Sequence, residues 1–393
     1  MSRDYTGHPA LGLRRANEKG PILGRKKYQG LGTAVDIAGL NFPGTISQRL
    51  AGGGDAATGV ELFETMRLFS GTIAIAAGVF VSLGAFTAQQ ASGASLEVLQ
   101  LRPNFYMIAG AGGNVGFQVG TDGVVVVDSG STSSADAVVA AIKKVTTQPI
   151  RYVINTSADP DHVGGNLTVA KAGQTLFTGN GGAGLATNFL GGGASILSAE
   201  QVLTRMSGPS GKTSPYPVDA WPTETFNQPR KYMYLNGEGI EVFHQPAAHT
   251  DGDAIVFFRR SDVVVAGDVF DTRRFPVIDI AKGGSIQGEI AALQKLVDTA
   301  IPSVPIVSRE EGTLIVPGHG RICDQLDVVD YRDMVTIIRD RVRDLMKQGL
   351  TLEQIQAASP ARGYIRRYGS DTGPWTTNNF IEAIYRSMNE KAQ

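Results

Sequence analysis

The 393-residue sequence has little of the residue that most often staples or metallates a small domain: its one cysteine is Cys323. A single thiol excludes an intramolecular disulfide and any metal cluster built on several cysteines. It leaves the compartment open, because an exported protein can do without disulfides, and it reads as a small buried apolar residue. An excess of charge is missing too, with 36 Lys and Arg against 37 Asp and Glu and a formal net charge of −1. No global field therefore draws nucleic acid or an acidic surface to the chain, and no basic stripe stands out. The expected partner is a small-molecule substrate, with no nucleic acid. Histidine is also scarce, five in all, so the places where it falls are informative.

A long charge-free apolar run occurs at Leu68 to Ala88 (LFSGTIAIAAGVFVSLGAFTA), and the next charged residue after Arg67 is Glu97. About 20 apolar residues can span a bilayer, whereas a signal peptide needs a basic start, a shorter apolar stretch and a small-residue cleavage site. Met66 and Arg67 directly before the run, with Ser92 and Ala94 ahead of a cut before Ser95, favour a cleaved signal peptide over residues 66–94. The protein is then exported, periplasmic or secreted. The alternative is a membrane anchor, in which case the membrane is touched only through residues 68–88. Residues 1–65 are Gly-rich, carry Arg14, Arg15, Lys19, Arg25, Lys26 and Lys27, and show no sustained period; they read as a disordered arm, or as sequence upstream of the true start. Arg14 and Arg15 lie too far from the apolar run to form a twin-arginine signal.

From residue 95 to 393 short apolar runs alternate with helical periods, an α/β signature. FYMIAG, NVGFQVG and GVVVVDSG read as a meander of strands. SSADAVVAAIKKV follows as a helix with Ser133 placed to cap it, and IRYVIN is a further strand. Residues 191–228 are rich in Gly, Ser and Pro and read as a long irregular loop. KYMYLNG, GIEVFHQ, AIVFFRR and DVVVAGD form a second run of strands. GSIQGEIAALQKLVDTAI then has helical spacing, and TLIVPGHG is a strand. Val328, Tyr331, Val335, Ile338, Val342 and Leu345 mark one face of a long helix, which Gly349 stops. Thr351 with Gln354 forms a capping box for the next helix. GPWTTNNFIEAIYRSM reads as an amphipathic helix packed on the rest. Strands, helices, strands and helices in that order suit two sheets packed face to face with helices outside, a four-layer αβ/βα sandwich.

Three of the histidines stand where a predicted strand ends in a Gly- or Asp-bearing loop. The segments are NTSADPDHVGGN, PAAHTDGD, VVVAGDVFD and LIVPGHGR, and each supplies a His, an Asp or both. Strand ends in layered α/β folds converge on one rim where ligands bind. Imidazole and carboxylate hold Zn²⁺ or a similar divalent ion, and a catalytic site leaves a position for water. Asp161, His162, His249, Asp268 and His319 can supply such a set. One histidine alone is more often a hydrogen-bonded packing residue than a ligand, but four strand ends sharing one pattern reverse that weight. Asp251 and Asp253 read as turn-fixing residues, His244 as a packed or half-exposed strand residue, and His8 falls in the arm.

These residues resemble the metallo-β-lactamase superfamily, which includes thioester hydrolases of the glyoxalase II type, class B β-lactamases and lactonases. The likeness runs from about residue 97 to the C-terminal region. The family pattern H-x-H-x-D-H, with a glycine-rich turn and then a later His, an Asp and a last His, is matched by Ser157-Ala158-Asp159-Pro160-Asp161-His162, His249, Asp268 and His319. The resemblance implies the metallo-β-lactamase fold and two adjoining metal positions. One is complete in Asp161, His162 and His319 with Asp268 beside it. In the other, Ser157 and Asp159 replace the first two histidines and leave His249. A serine hydroxyl is a poor Zn²⁺ ligand, while Asp159 offers a carboxylate. One zinc ion at the complete position is the preferred expectation. Asp159, His249 and Asp268 holding a second, harder ion is the alternative, and another divalent metal stays open.

The expected chemistry is hydrolysis of an ester, thioester, lactone or β-lactam by a metal-activated water. In it Asp161 orients the water, Asp159 and His249 serve as base or proton shuttle, and Asp268 bridges or supports. Residues 191–228 are the expected substrate contact. The competing expectation, prompted by Ser157, is a non-catalytic scaffold or binding protein that kept the fold.

Overall fold

Alternation along the strands decides the layers. In the run Val124–Val127 every side chain is buried, yet Val125 and Val127 enter one apolar cluster while Val124 and Val126 enter another, because successive strand residues point to opposite faces. The same split recurs at Val263, Val264 and Val265. Two sheets with a core on each face follow from this patterning alone.

The computed structural model describes residues 96–176, 192–209, 212–303 and 312–389. The predicted arm and apolar segment over 1–94 lie outside them, and among the described residues no helix is long and apolar enough to cross a membrane. The first sheet comprises β1 (Glu97–Arg102), β2 (Phe105–Ala111), β3 (Gly113–Gly120), β4 (Gly123–Val127), β5 (Ile150–Ile154), β6 (Ser195–Ala199) and β7 (Glu224–Phe226), in that spatial order. β1 to β4 form an antiparallel meander, and β4 to β7 run parallel. The second sheet contains β8 (Arg230–Leu235), β9 (Glu238–Gln245), β10 (Asp253–Phe258), β11 (Val263–Asp271) and β12 (Leu314–His319), ordered β12-β11-β10-β9-β8, with only β11 and β12 parallel. Asn236 and Gly237 both take positive φ, 56° and 68°, which gives the β8–β9 hairpin the turn that matches strand twist.

Between the sheets lie Phe105, Met107, Ile154, Leu197, Val242 and Val256. Outside the first sheet pack α1 (Ala135–Val145), α2 (Pro160–Val163), α3 (Asn166–Lys171) and α4 (Glu200–Ser207); outside the second pack α5 (Ile286–Thr299), α6 (Gln325–Lys347), α7 (Leu352–Ala357), α8 (Ile365–Tyr368) and α9 (Thr377–Asn389). The result is the expected four-layer αβ/βα sandwich. The long-helix stripe is met by buried Val328, Tyr331, Val335, Ile338 and Val342, and Thr351 and Gln354 make the reciprocal capping bonds.

Two expectations need correcting, and one strand was missed. Residues 191–228 are not one irregular loop, since their described part contains β6, α4 and β7; Gly- and Pro-rich flanks hid a five-residue strand that parallel pairing with β5 supports. β1 was not foreseen, because a half-exposed edge strand carries little apolar signal. Ser133 does not cap α1: Ser134 precedes it and turns its hydroxyl to the Ala111 carbonyl at 2.7 Å instead.

Candidate metal centre

The apolar strands stop where the polar site begins. β4 is followed directly by Asp128, which is buried and held at φ +62°, an unusual conformation for a residue with a Cβ. Its carboxylate accepts from the Thr156 N–H at 2.8 Å, the Thr156 hydroxyl at 2.6 Å and His162 Nδ1 at 2.7 Å. β5 leads into Asn155–Asp159, and Pro160 starts the single turn of α2 that carries Asp161 and His162. Gly165 follows where a Cβ would stand 2.2 Å from the Ser129 carbonyl oxygen, so only glycine fits. Asp159 occupies the N-cap of α2 but does not cap it; its carboxylate faces His249 Nε2 at 3.1 Å.

The second sheet supplies the opposite side. His249 sits in the loop between β9 and β10, its Nδ1 donating to the Val277 carbonyl at 2.8 Å. Asp268 projects from an irregular part of β11 next to Gly267, which has φ +56° and lies against Thr156. His319 ends β12, and the following loop is tied to the first sheet by the buried Asn114 amide, bonded to the Pro317 and Gly320 carbonyls at 2.9 and 3.1 Å.

Three imidazoles converge on Asp268. His162 Nε2 lies 3.2 Å and His319 Nε2 3.5 Å from Oδ1, and His249 Nε2 lies 3.9 Å from Oδ2. His319 Nε2 also meets Asp161 at 3.1 Å. Two groups of donors result: Asp161, His162 and His319, and Asp159, His249 and Asp268, each with ligand atoms within 4.8 Å of one another. The Nδ1 atoms of His162 and His249 are spent on outer acceptors, so each ring turns its Nε2 inward, the nitrogen that a cation would take in place of its proton. On that chemistry both groups fit a divalent ion. Ser157, at the first motif position, is fully buried; its hydroxyl donates to Asp268 Oδ2 at 3.2 Å and accepts from the Asp159 N–H at 3.3 Å.

Crowding of acids and imidazoles sets the protonation. Burial alone would lower the His249 pKa, but the Asp159 hydrogen bond and the charges of Asp253 and Asp268 push it up to about 10. His162 is raised in the same way by Asp268 and Asp128 against burial. Burial works to raise Asp268, and the three imidazoles outweigh it and hold the carboxyl far below its usual range. Asp159 and Asp161 are lowered by His249 and by His319 with His162, again against burial.

The site opens into a cavity of about 250 Å³, whose far wall is made by Arg274, Val277, Pro374 and Trp375. None of these was picked out from the sequence, nor were Asp128 and Thr156. Tyr216, within 191–228, has its hydroxyl pKa raised by burial and by the charges of Asp159 and Asp161. His244 is half-buried and bonds the Asp251 carbonyl at 2.8 Å. Asp253 fixes its turn through the Thr250 N–H and hydroxyl, whereas Asp251 pairs with Arg205 from α4. Cys323 is buried, which pushes its thiol up to about 12.

Residues 109–319 match the model of the metallo-β-lactamase superfamily. Among solved structures, the stereoselective inverting sec-alkylsulfatase Pisa1 from Pseudomonas sp. superposes with a TM-score of 0.52 at 15% identity, covering 74% of this chain and 50% of that one. This chain thus spans half the length of the sulfatase. A metallo-β-lactamase from Pontibacter korlensis matches at 17% identity, covering 61% of this chain and 99% of that one, with a TM-score of 0.44. No curated protein matches.

Proposed function

Since the matched residues make up more than half of its length, the chain belongs to the metallo-β-lactamase superfamily, and on that premise we propose that it is a metal-dependent hydrolase of an ester, thioester, lactone or β-lactam. The observation that carries the reading is the convergence of three inward-facing Nε2 atoms on one aspartate, with two of the rings fixed from behind.

Asp161, His162 and His319 would hold the cation, zinc by preference, with Asp268 beside it. Bound there, a divalent ion acidifies water and polarises an acyl oxygen. The protein's own groups do the rest. Asp161 is the most exposed of the acids in this cluster and orients the attacking water at the mouth of the cavity. Asp159 and His249, 3.1 Å apart, carry a proton between that water and the leaving group. Asp128 keeps the His162 ring in one tautomer. Trp375, Pro374 and Val277 form the apolar part of the wall against which a small acyl substrate packs. Residues 66–94 act as the export segment or an anchor, and residues 95–393 form the hydrolase domain.

The test is a panel of β-lactam, thioester, lactone, aryl ester, phosphodiester and secondary alkyl sulfate, run on chelator-dialysed protein with and without zinc, beside His162→Ala. Zinc should restore turnover of an acyl substrate, and the variant should lose at least about 100-fold. Equal rates in both proteins would remove this mechanism, and no bound metal after reconstitution would leave only a scaffold.

A further inference from the structure

The two donor groups are unequal. Asp161, His162 and His319 offer two imidazoles and one carboxylate, while Asp159, His249 and Asp268 offer one imidazole and two carboxylates. Ser157 adds no ligand to the second group, since its hydroxyl is engaged with Asp268 and the Asp159 N–H. Beside this poorer group stands a cation of the chain's own. The Lys282 ammonium lies 3.5 Å from Asp159 Oδ1 and 2.9 Å from Asp279 Oδ2.

Lys282 is not an idle surface lysine whose stem happens to reach an acid. It closes the 3-10 turn Ile280–Lys282, whose entry is capped by the Asp279 side chain on the Lys282 N–H at 3.2 Å. The Asp279 N–H bonds the His249 carbonyl at 2.9 Å, and the Lys282 carbonyl accepts from the Asp251 N–H at 2.9 Å and from Arg205 Nη2 at 2.8 Å. The turn ends at Gly283, at φ +83°. The backbone bearing the ammonium is therefore fastened to the same loop that bears His249, which keeps the Lys282 side chain within reach of the second donor group.

We propose that the Lys282 ammonium takes the place of a second metal ion at the altered half of the site. On this view the protein carries one tightly held ion, and the Asp159, His249 and Asp268 group accepts a further divalent ion only by displacing Lys282 from Asp159. This rests on the reading that Asp161, His162 and His319 hold the first ion. The physical reason is charge: an ammonium already paired with Asp159 repels a dication arriving at the same carboxylate. It also holds Asp159 Oδ1, the oxygen other than the one that faces His249, and so denies a one-imidazole site a second carboxylate oxygen from Asp159.

The experiment is metal counting on the full-length chain, stripped by chelator and titrated with Zn²⁺ against a chromophoric competitor, with elemental analysis after desalting. Wild type should bind one tight equivalent. Lys282→Met and Lys282→Gln should bind a second, its affinity raised by at least about tenfold through loss of the nearby charge. Lys282→Arg should behave as wild type, and adding Asp159→Asn to Lys282→Met should return the count to one. Two equally tight ions in wild type, or one ion of unchanged affinity in Lys282→Met and Lys282→Gln, would overturn the inference while leaving the hydrolase reading in place. A wild-type chain that binds no zinc would remove both.

Discussion

Asp128 shows what a single residue can be held in place to do. Its positive φ is a conformation that costs an ordinary side chain roughly 1–2 kcal/mol and suits Asn as well as Asp. The fold accepts that cost because the carboxylate joins the end of β4 to Thr156 and to the back of His162. Asp128→Asn keeps the backbone and removes the charge. It should weaken zinc binding by about 10- to 100-fold, measured by competition with a chromophoric chelator, and cost about 1–3 kcal/mol of stability, because an amide cannot accept from donors on both sides; unchanged affinity would reduce Asp128 to a loop brace. Asp161, His162, His249, Asp268 and His319 were legible in the sequence because each stands at the end of an apolar run. Asp128 stands in just such a place, in GVVVVDSG, yet without a histidine beside it the signal could not be told from a turn aspartate. Lys282, Arg274 and Trp375 carried no signal, since their relation to the site is set by tertiary contacts with no fixed spacing.

Among the elements, helix α5 is amphipathic and well capped, with Ser285 accepting from the Gly288 N–H, but one member of its buried face is an acid. Glu289 is fully buried beside Ala292 and Leu293, and neither carboxylate oxygen has a hydrogen-bond partner among the described residues. Burial, reinforced by the charge of Asp253, raises its pKa well above the usual 4.5. Below that value both folded and unfolded chains carry the proton and the residue is neutral in its effect. Above it the unfolded chain releases the proton first, so stability falls as pH rises toward the folded pKa. Glu289→Gln should therefore change little at pH 4 and stabilise the protein by about 1–3 kcal/mol at pH 7 to 8, read from urea unfolding at the two pH values. A gain of the same size at both would sink this account. Elements with a clear period, such as α6 and the strands of the second sheet, were legible. β6 and α4 were not, because composition in 191–228 is dominated by turn residues and the strand owes its existence to pairing with β5.

At the scale of the whole molecule, the four layers follow from alternation that is plain in the sequence, whereas the shape of the cavity does not. Pro374 and Trp375 lie beyond the family-matched residues 109–319, in the segment between α8 and α9, and still wall the site. Trp375→Ala should lower kcat/KM for the best panel substrate roughly tenfold, chiefly through KM, because it removes a packing surface rather than a reacting group. A loss confined to kcat would assign the indole a different part. The two sheets share the donors equally: Asp159, Asp161 and His162 hang from the first, and His249, Asp268 and His319 from the second. A bound cation is thus a clasp across the seam of the sandwich. A molecule whose halves have parted cannot keep it, so possession of the ion and closure of the protein are acquired, and lost, in the same event.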